Sequence, residues 1–142
     1  MSRTIVTGSE LMKFHARHLA RSKWRFFATL AFRRSNLSPS MANRRFESWI
    51  CDIQEIEDEE MTSEEDFLWF RVHEQAAFPQ KPLFHVLLAG LDASQHQLTK
   101  CWKKRGGDVK ATQIVQSQDA WAFIFSVARN GQKFEIKHDL LR

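Results

Sequence analysis

With 142 residues, 43% of them hydrophobic, 27% charged and 12% aromatic, the chain has the size of one domain and can bury a sizeable core, unlike disordered or collagen-like sequences. No apolar run reaches the roughly 18 residues that a membrane helix needs, and the basic N-terminus lacks the apolar stretch of a secretory signal. A cytoplasmic address with no membrane partner is expected. Twelve phenylalanines and five tryptophans accompany no tyrosine, so a tyrosine nucleophile is excluded whatever the net charge of +4 attracts.

Ser9 can cap a first helix running to about Ala20. The dense apolar run Trp24–Phe32 then has strand length and β-favouring residue types. In Leu37-Ser38-Pro39-Ser40 the serine suits an N-cap and the proline the first helical position. Phe46, Trp49, Ile50, Ile53 and Ile56 follow at three- and four-residue steps, which predicts a long amphipathic helix. Phe67–Glu74 and Pro82–Gly90 read as second and third strands, and the short connection through residues 75–81 makes their pairing antiparallel. A second helix is expected from Ser94 to Arg105, stopped by Gly106-Gly107. A fourth strand over Val109–Val115 and a third helix from about Asp119 to Arg129 follow, and residues 132–142 read as a tail or a short edge strand. Cys51 and Cys101, both inside helical segments, are expected to be small buried apolar residues with no disulfide.

Nothing marks a domain boundary, so residues 1–142 read as one domain: a basic helical arm over 1–23, a core over 24–131 and a tail over 132–142. The fold class is α+β. The order predicts a four- to five-stranded antiparallel sheet of ferredoxin-like, RNA-recognition-module-like topology, with helices mainly on one face and the other open for a ligand.

Charge is segregated along the chain. Residues 1–45 carry ten Lys/Arg against Glu10, residues 46–74 carry Arg71 against eleven acids, and residues 75–142 carry ten against five. The first block offers Arg17, Arg21, Lys23, Trp24, Arg25, Arg33 and Arg34 as nucleic-acid contacts, resuming at Arg44-Arg45, because successive cations can follow a phosphate backbone. Trp24, flanked by Lys23 and Arg25, is the ring best placed by sequence to stack on a base. Phe67, Trp69 and Phe84 are expected in the core. The acidic stretch from Glu55 to Asp66 reads as a solvated helix end and loop.

One arrangement of motifs goes further. Phe27-Ala-Thr-Leu-Ala-Phe-Arg-Arg34, a helix ending in acids, Glu74, Pro82-Leu83-Phe84-His85-Val86, Trp102 before Gly106, and Asp119-Ala-Trp-Ala-Phe123-Ile-Phe-Ser126 occur in that order. Over about Trp24 to Arg129 this resembles the rolling-circle replication initiators of the HUH endonuclease class, of the small plasmid and phage type. The resemblance implies an activity in which a tyrosine attacks single-stranded DNA beside a Mn²⁺ or Mg²⁺ held by two histidines on one strand face. Side chains two apart on a strand point the same way and can share an ion.

At the matching positions the chain has Leu83 for the first histidine, His85 for the second, Phe123 for the tyrosine and Ser126 for a lysine three residues on. Joint loss of a metal ligand, the nucleophile and the cation leaves no catalytic residue to assign and implies a nicking-deficient relative. His85 with Glu74 is the remaining candidate metal pair. No resident cofactor is expected, and weakly held Mn²⁺ or Mg²⁺ is the alternative. His73, next to Glu74, is expected on the opposite strand face from His85. The partner expected is a single-stranded or hairpin nucleic acid of a mobile element, DNA ahead of RNA. The alternatives are a protein that inhibits a host protein, of the anti-defence kind, and an active metal-dependent nuclease that works without tyrosine.

Overall fold

The structure, a computed structural model, describes residues 2–7, 23–34, 37–60, 66–74, 83–116 and 133–138, with the backbone alone for 2–7, 74 and 133–138. Its elements are β1 (Ser2–Thr7), β2 (Trp24–Ala31), α1 (Pro39–Glu60), β3 (Leu68–Glu74), β4 (Leu83–Ala89), α2 (Gln95–Lys104), β5 (Gln113–Gln116) and β6 (Lys133–His138). They form an α+β fold around one six-stranded sheet in the order β1-β6-β3-β4-β2-β5, antiparallel at every pairing. Within it β2-α1-β3-β4-α2-β5 is the split βαβ unit, with its strands side by side as fourth, first, third and second. None of the described helices is long and apolar enough to cross a membrane.

Alternation along the strands builds the core. Phe26, Ala28 and Leu30 of β2 share a face with Trp69 of β3 and with Phe84, Val86 and Leu88 of β4, and both described helices pack there. From α1 come Ala42, Phe46, Trp49 and Ile53, the three- and four-residue steps that the sequence displays, and from α2 come Leu98 and Trp102. Phe67, Trp69 and Phe84 belong to this core, as expected. Ser38 accepts a hydrogen bond from the Met41 amide at the start of α1. At α2, Ser94 and Gln97 exchange bonds in a capping box. Glu57, buried on the last turns of α1, accepts from the Asp92 amide and so ties α1 to the loop that launches α2.

Five expectations change. The face opposite the helices is closed at its centre, because Phe70, Val72 and Leu87 on it are fully buried. The predicted fourth strand shortens to Gln113–Gln116, since the Asp108 carboxylate accepts from the Lys110 amide and folds residues 109–111 into a turn. The C-terminal segment is no edge or tail: β6 lies inside the sheet between β1 and β3. That arrangement brings in β1, whose β-branched run Thr4-Ile5-Val6-Thr7 falls inside the expected helical arm. Cys51 is exposed, because its position falls outside the stripe through Phe46, Trp49 and Ile53, whereas Cys101 is half-buried. The predicted helices at 9–20 and 119–129 lie outside the described residues.

Candidate nucleic-acid interface

The residues singled out by sequence divide between two sides of the sheet. On β4, Leu83 and His85 share the face away from the helices, and Phe84 between them points into the core. His85 is paired in register with Thr29 on one side and Val72 on the other. Thr29 Oγ1 lies 3.5 Å from its Nδ1, and the Phe27 ring meets it edge-on at 6.4 Å. Burial drives the imidazole pKa down from 6.5 to about 4, so it is neutral at physiological pH. His73 is buried on the helix side with its ring 5.3 Å from that of Phe84, which keeps it from joining His85.

The Glu74 side chain lies outside the described residues, as do Phe123 and Ser126. The donors described next to His85, one imidazole and one hydroxyl, do not fit Mn²⁺ or Mg²⁺, which take several oxygen ligands.

Trp24 is no stacking platform. A β-bulge between Trp24 and Phe26 sets it opposite Ala89, and it is 1% exposed. Arg25 is committed to the scaffold: its Nη1 donates to the Leu91 carbonyl at 2.6 Å and its guanidinium lies over the Phe26 ring. Lys23 is exposed, but at the opposite end of β2 from Arg33, and an eight-residue strand spans roughly 25 Å. Arg17 and Arg21 lie outside the described residues. Lys23, Arg25 and Arg33 therefore do not form one continuous surface.

Cations do converge where the end of β2 meets the helices. Arg33 and Arg34 are exposed just beyond β2. The Arg33 amide donates to the Gly106 carbonyl at 3.1 Å and its Nη2 to the Lys103 carbonyl at 3.2 Å, so its backbone and guanidinium are both tied to the end of α2. The same junction is fixed from below by Trp102, whose indole N–H donates to the Ala31 carbonyl at 2.9 Å. Gly106 turns the chain with φ of +93°, a conformation that favours glycine, and the Arg45 guanidinium lies over it, with Nη1 2.0 Å from where a Cβ would be.

The result is an open cleft of about 410 Å³ lined by Arg33, Arg44, Arg45, Ser48, Lys104, Arg105 and Gly106. Asp52 grips Arg105 with both carboxylate oxygens at 2.6 Å, which raises the Arg105 pKa further and neutralises its charge locally. Arg33, Arg44, Arg45 and Lys104 have no acidic partner among the described residues. Arg33 and Lys104 also border a second hollow of about 720 Å³, where Ile56, Gln97 and Cys101 supply a less polar wall beside Lys100 and Lys103.

Arg33, Arg44 and Arg45 are legible in the sequence as cations, but Lys104 and Gly106 read there only as the end of a helix. The run Lys103-Lys104-Arg105 beside two glycines is the available signal. No family model, curated protein or solved structure matches the chain.

Proposed function

We propose that the protein binds nucleic acid without cutting it, as a nicking-deficient relative of rolling-circle replication initiators from a plasmid, phage or other mobile element. The observation that carries the binding is the cleft in which Arg33, Arg44, Arg45 and Lys104 converge from three separate chain segments with no acidic partner among the described residues. Several cations held at one concave surface recognise phosphates, and phosphate contacts dominate nucleic-acid affinity. The relationship to initiators rests on the motif order in the sequence, and the loss of nicking rests on Leu83, Phe123 and Ser126 at the positions of the reacting groups.

A second reading has one observation in its favour. Glu55, Asp58, Glu59 and Glu60 are exposed at the far end of α1, a surface suited to a basic protein partner. Fluorescence anisotropy with labelled single-stranded, hairpin and duplex probes of DNA and RNA, with Mn²⁺ present and the probe recovered afterwards, separates these readings. The expected result is saturable binding of at least one probe, recovered intact. Absence of binding to every probe overturns the proposal in favour of a protein partner. Divalent-dependent cleavage that His85→Ala abolishes overturns its nicking-deficient part.

A further inference from the structure

The cleft and the hollow beside it differ in chemistry. The cleft is lined by guanidinium and ammonium groups, a hydroxyl and a glycine, and the Asp52 carboxylate beside it is spent on Arg105. The hollow has Ile56 and Cys101, both half-buried against the core, and the Gln97 amide, beside Lys100, Lys103 and the shared Arg33 and Lys104. Arg33 and Lys104 border both, so cleft and hollow adjoin as a two-part groove along α2. A phosphate fits the first and is matched by charge. A flat, partly apolar group bearing a hydrogen-bond acceptor fits the second, whose volume lies in the range of small-molecule sites. There the Gln97 Oε1 is taken by the Ser94 amide, and the Gln97 side-chain NH₂ can donate.

Resting on the nucleic-acid reading above, we propose that this groove holds one unpaired nucleotide step of a single strand, with a phosphate among Arg33, Arg44, Arg45 and Lys104 and the adjoining base against Ile56, Gln97 and Cys101. A base in a duplex reaches such a hollow only by leaving its stack and its partner, so the groove selects single strands over duplexes. Recognition is by the helical layer and not by the sheet, whose opposite face is closed at Phe70, Val72 and Leu87. Gly106 has a defined part in this. Its turn carries the chain past the Arg45 guanidinium, which lies against it at the cleft wall.

The test compares wild type with Arg44→Glu, Arg44→Gln and Cys101→Phe, and with Lys110→Glu as a control of equal charge change on the exposed turn after α2. Each is titrated with a labelled oligothymidylate single strand, the same backbone without bases, a blunt duplex and inorganic polyphosphate. Thermal melting checks that each variant folds. Wild type is expected to bind the single strand about tenfold or more tightly than the duplex or the abasic strand. Arg44→Glu is expected to lose about tenfold or more, Arg44→Gln a smaller factor, and Lys110→Glu less than about twofold. Cys101→Phe is expected to weaken the single strand while leaving the abasic strand unchanged.

Equal affinity for abasic and normal strands, or for polyphosphate and single strand, overturns the base subsite. Equal losses in Arg44→Glu and Lys110→Glu overturn the placement in this cleft, and the general nucleic-acid reading survives. Failure of wild type on all four probes overturns the groove proposal, and failure on the RNA and hairpin probes as well overturns the nucleic-acid reading itself.

Discussion

Trp102→Ala is expected to lower stability by about 4 kcal/mol and to abolish binding at the basic cleft together with it. Trp102 is fully buried, edge-on to Phe32 at 5.0 Å and to Trp49 at 5.7 Å between their ring centroids, and its indole N–H anchors α2 to the Ala31 carbonyl on β2. Truncation removes a large apolar surface from a core that has nothing to refill the space, and leaves the end of α2 without its anchor. Lys104 and the Gly106 turn, which form one wall of the cleft, follow directly after that anchor.

Trp102→Phe separates the two effects. It keeps most of the ring packing and loses one hydrogen bond, whose acceptor is also served by the Asp108 amide at 2.9 Å and the Thr112 hydroxyl at 3.4 Å. The expected loss is therefore near the low end for a buried hydrogen bond, about 1 kcal/mol, with affinity retained. Urea unfolding of both variants checks this, and a loss below about 1 kcal/mol for Trp102→Ala contradicts the role given to the indole.

Acid is expected to destabilise the fold through His85. Its folded pKa is about 4 against an ordinary 6.5, so between those values the unfolded chain binds a proton that the folded one refuses. Stability therefore falls as pH drops from about 6.5 to about 4, by up to about 3 kcal/mol, and is unaffected by this group above pH 7. Glu57 acts with the opposite sign. Burial raises its pKa, so the folded chain takes up that proton first, and acidification through the raised value adds stability. His85→Gln isolates the histidine: its urea midpoint is expected to change much less between pH 7 and pH 4.5 than that of wild type. Parallel pH profiles contradict the assignment.

The neutral, sheltered imidazole also bears on how the resemblance to initiators should be read. Leu83 and His85 do share one strand face, as the family's two metal ligands would. The cation-rich cleft lies on the other side of the sheet, where α1 and α2 pack, so the position matching the family's metal site and the cluster of cations are not one place in this chain.

The parts of the fold set by local pattern are readable from sequence. Pro39 after Ser38, the apolar stripe of α1, the alternation in β2 to β4 and the Ser94 cap place the starts of five elements to within a residue. The remainder depends on partners distant in sequence. Ser2–Thr7 pairs with Lys133–His138, which itself pairs with β3. The β-branched run Thr4–Thr7 and the alternation of Phe134 and Ile136 with charged neighbours are local strand signals, but their joining into one sheet depends on contacts across the whole chain. Trp24 looks like a surface ring because charges flank it, yet the bulge before Phe26 turns it inward. The cleft is the clearest case. Arg33, Arg45 and Lys104 come from three segments, and the glycine against which Arg45 lies reads in sequence as a helix terminator.

The most direct test of the central claim is the salt dependence of single-strand affinity for wild type. Each phosphate neutralised on a single strand contributes about −0.7 to the slope of log K against log salt concentration, so engagement of the four cleft cations predicts a slope of about −2 to −3. A slope in that range that Arg44→Gln makes shallower confirms phosphate recognition by the cleft. Binding with a slope near zero, or no binding at low salt, contradicts it.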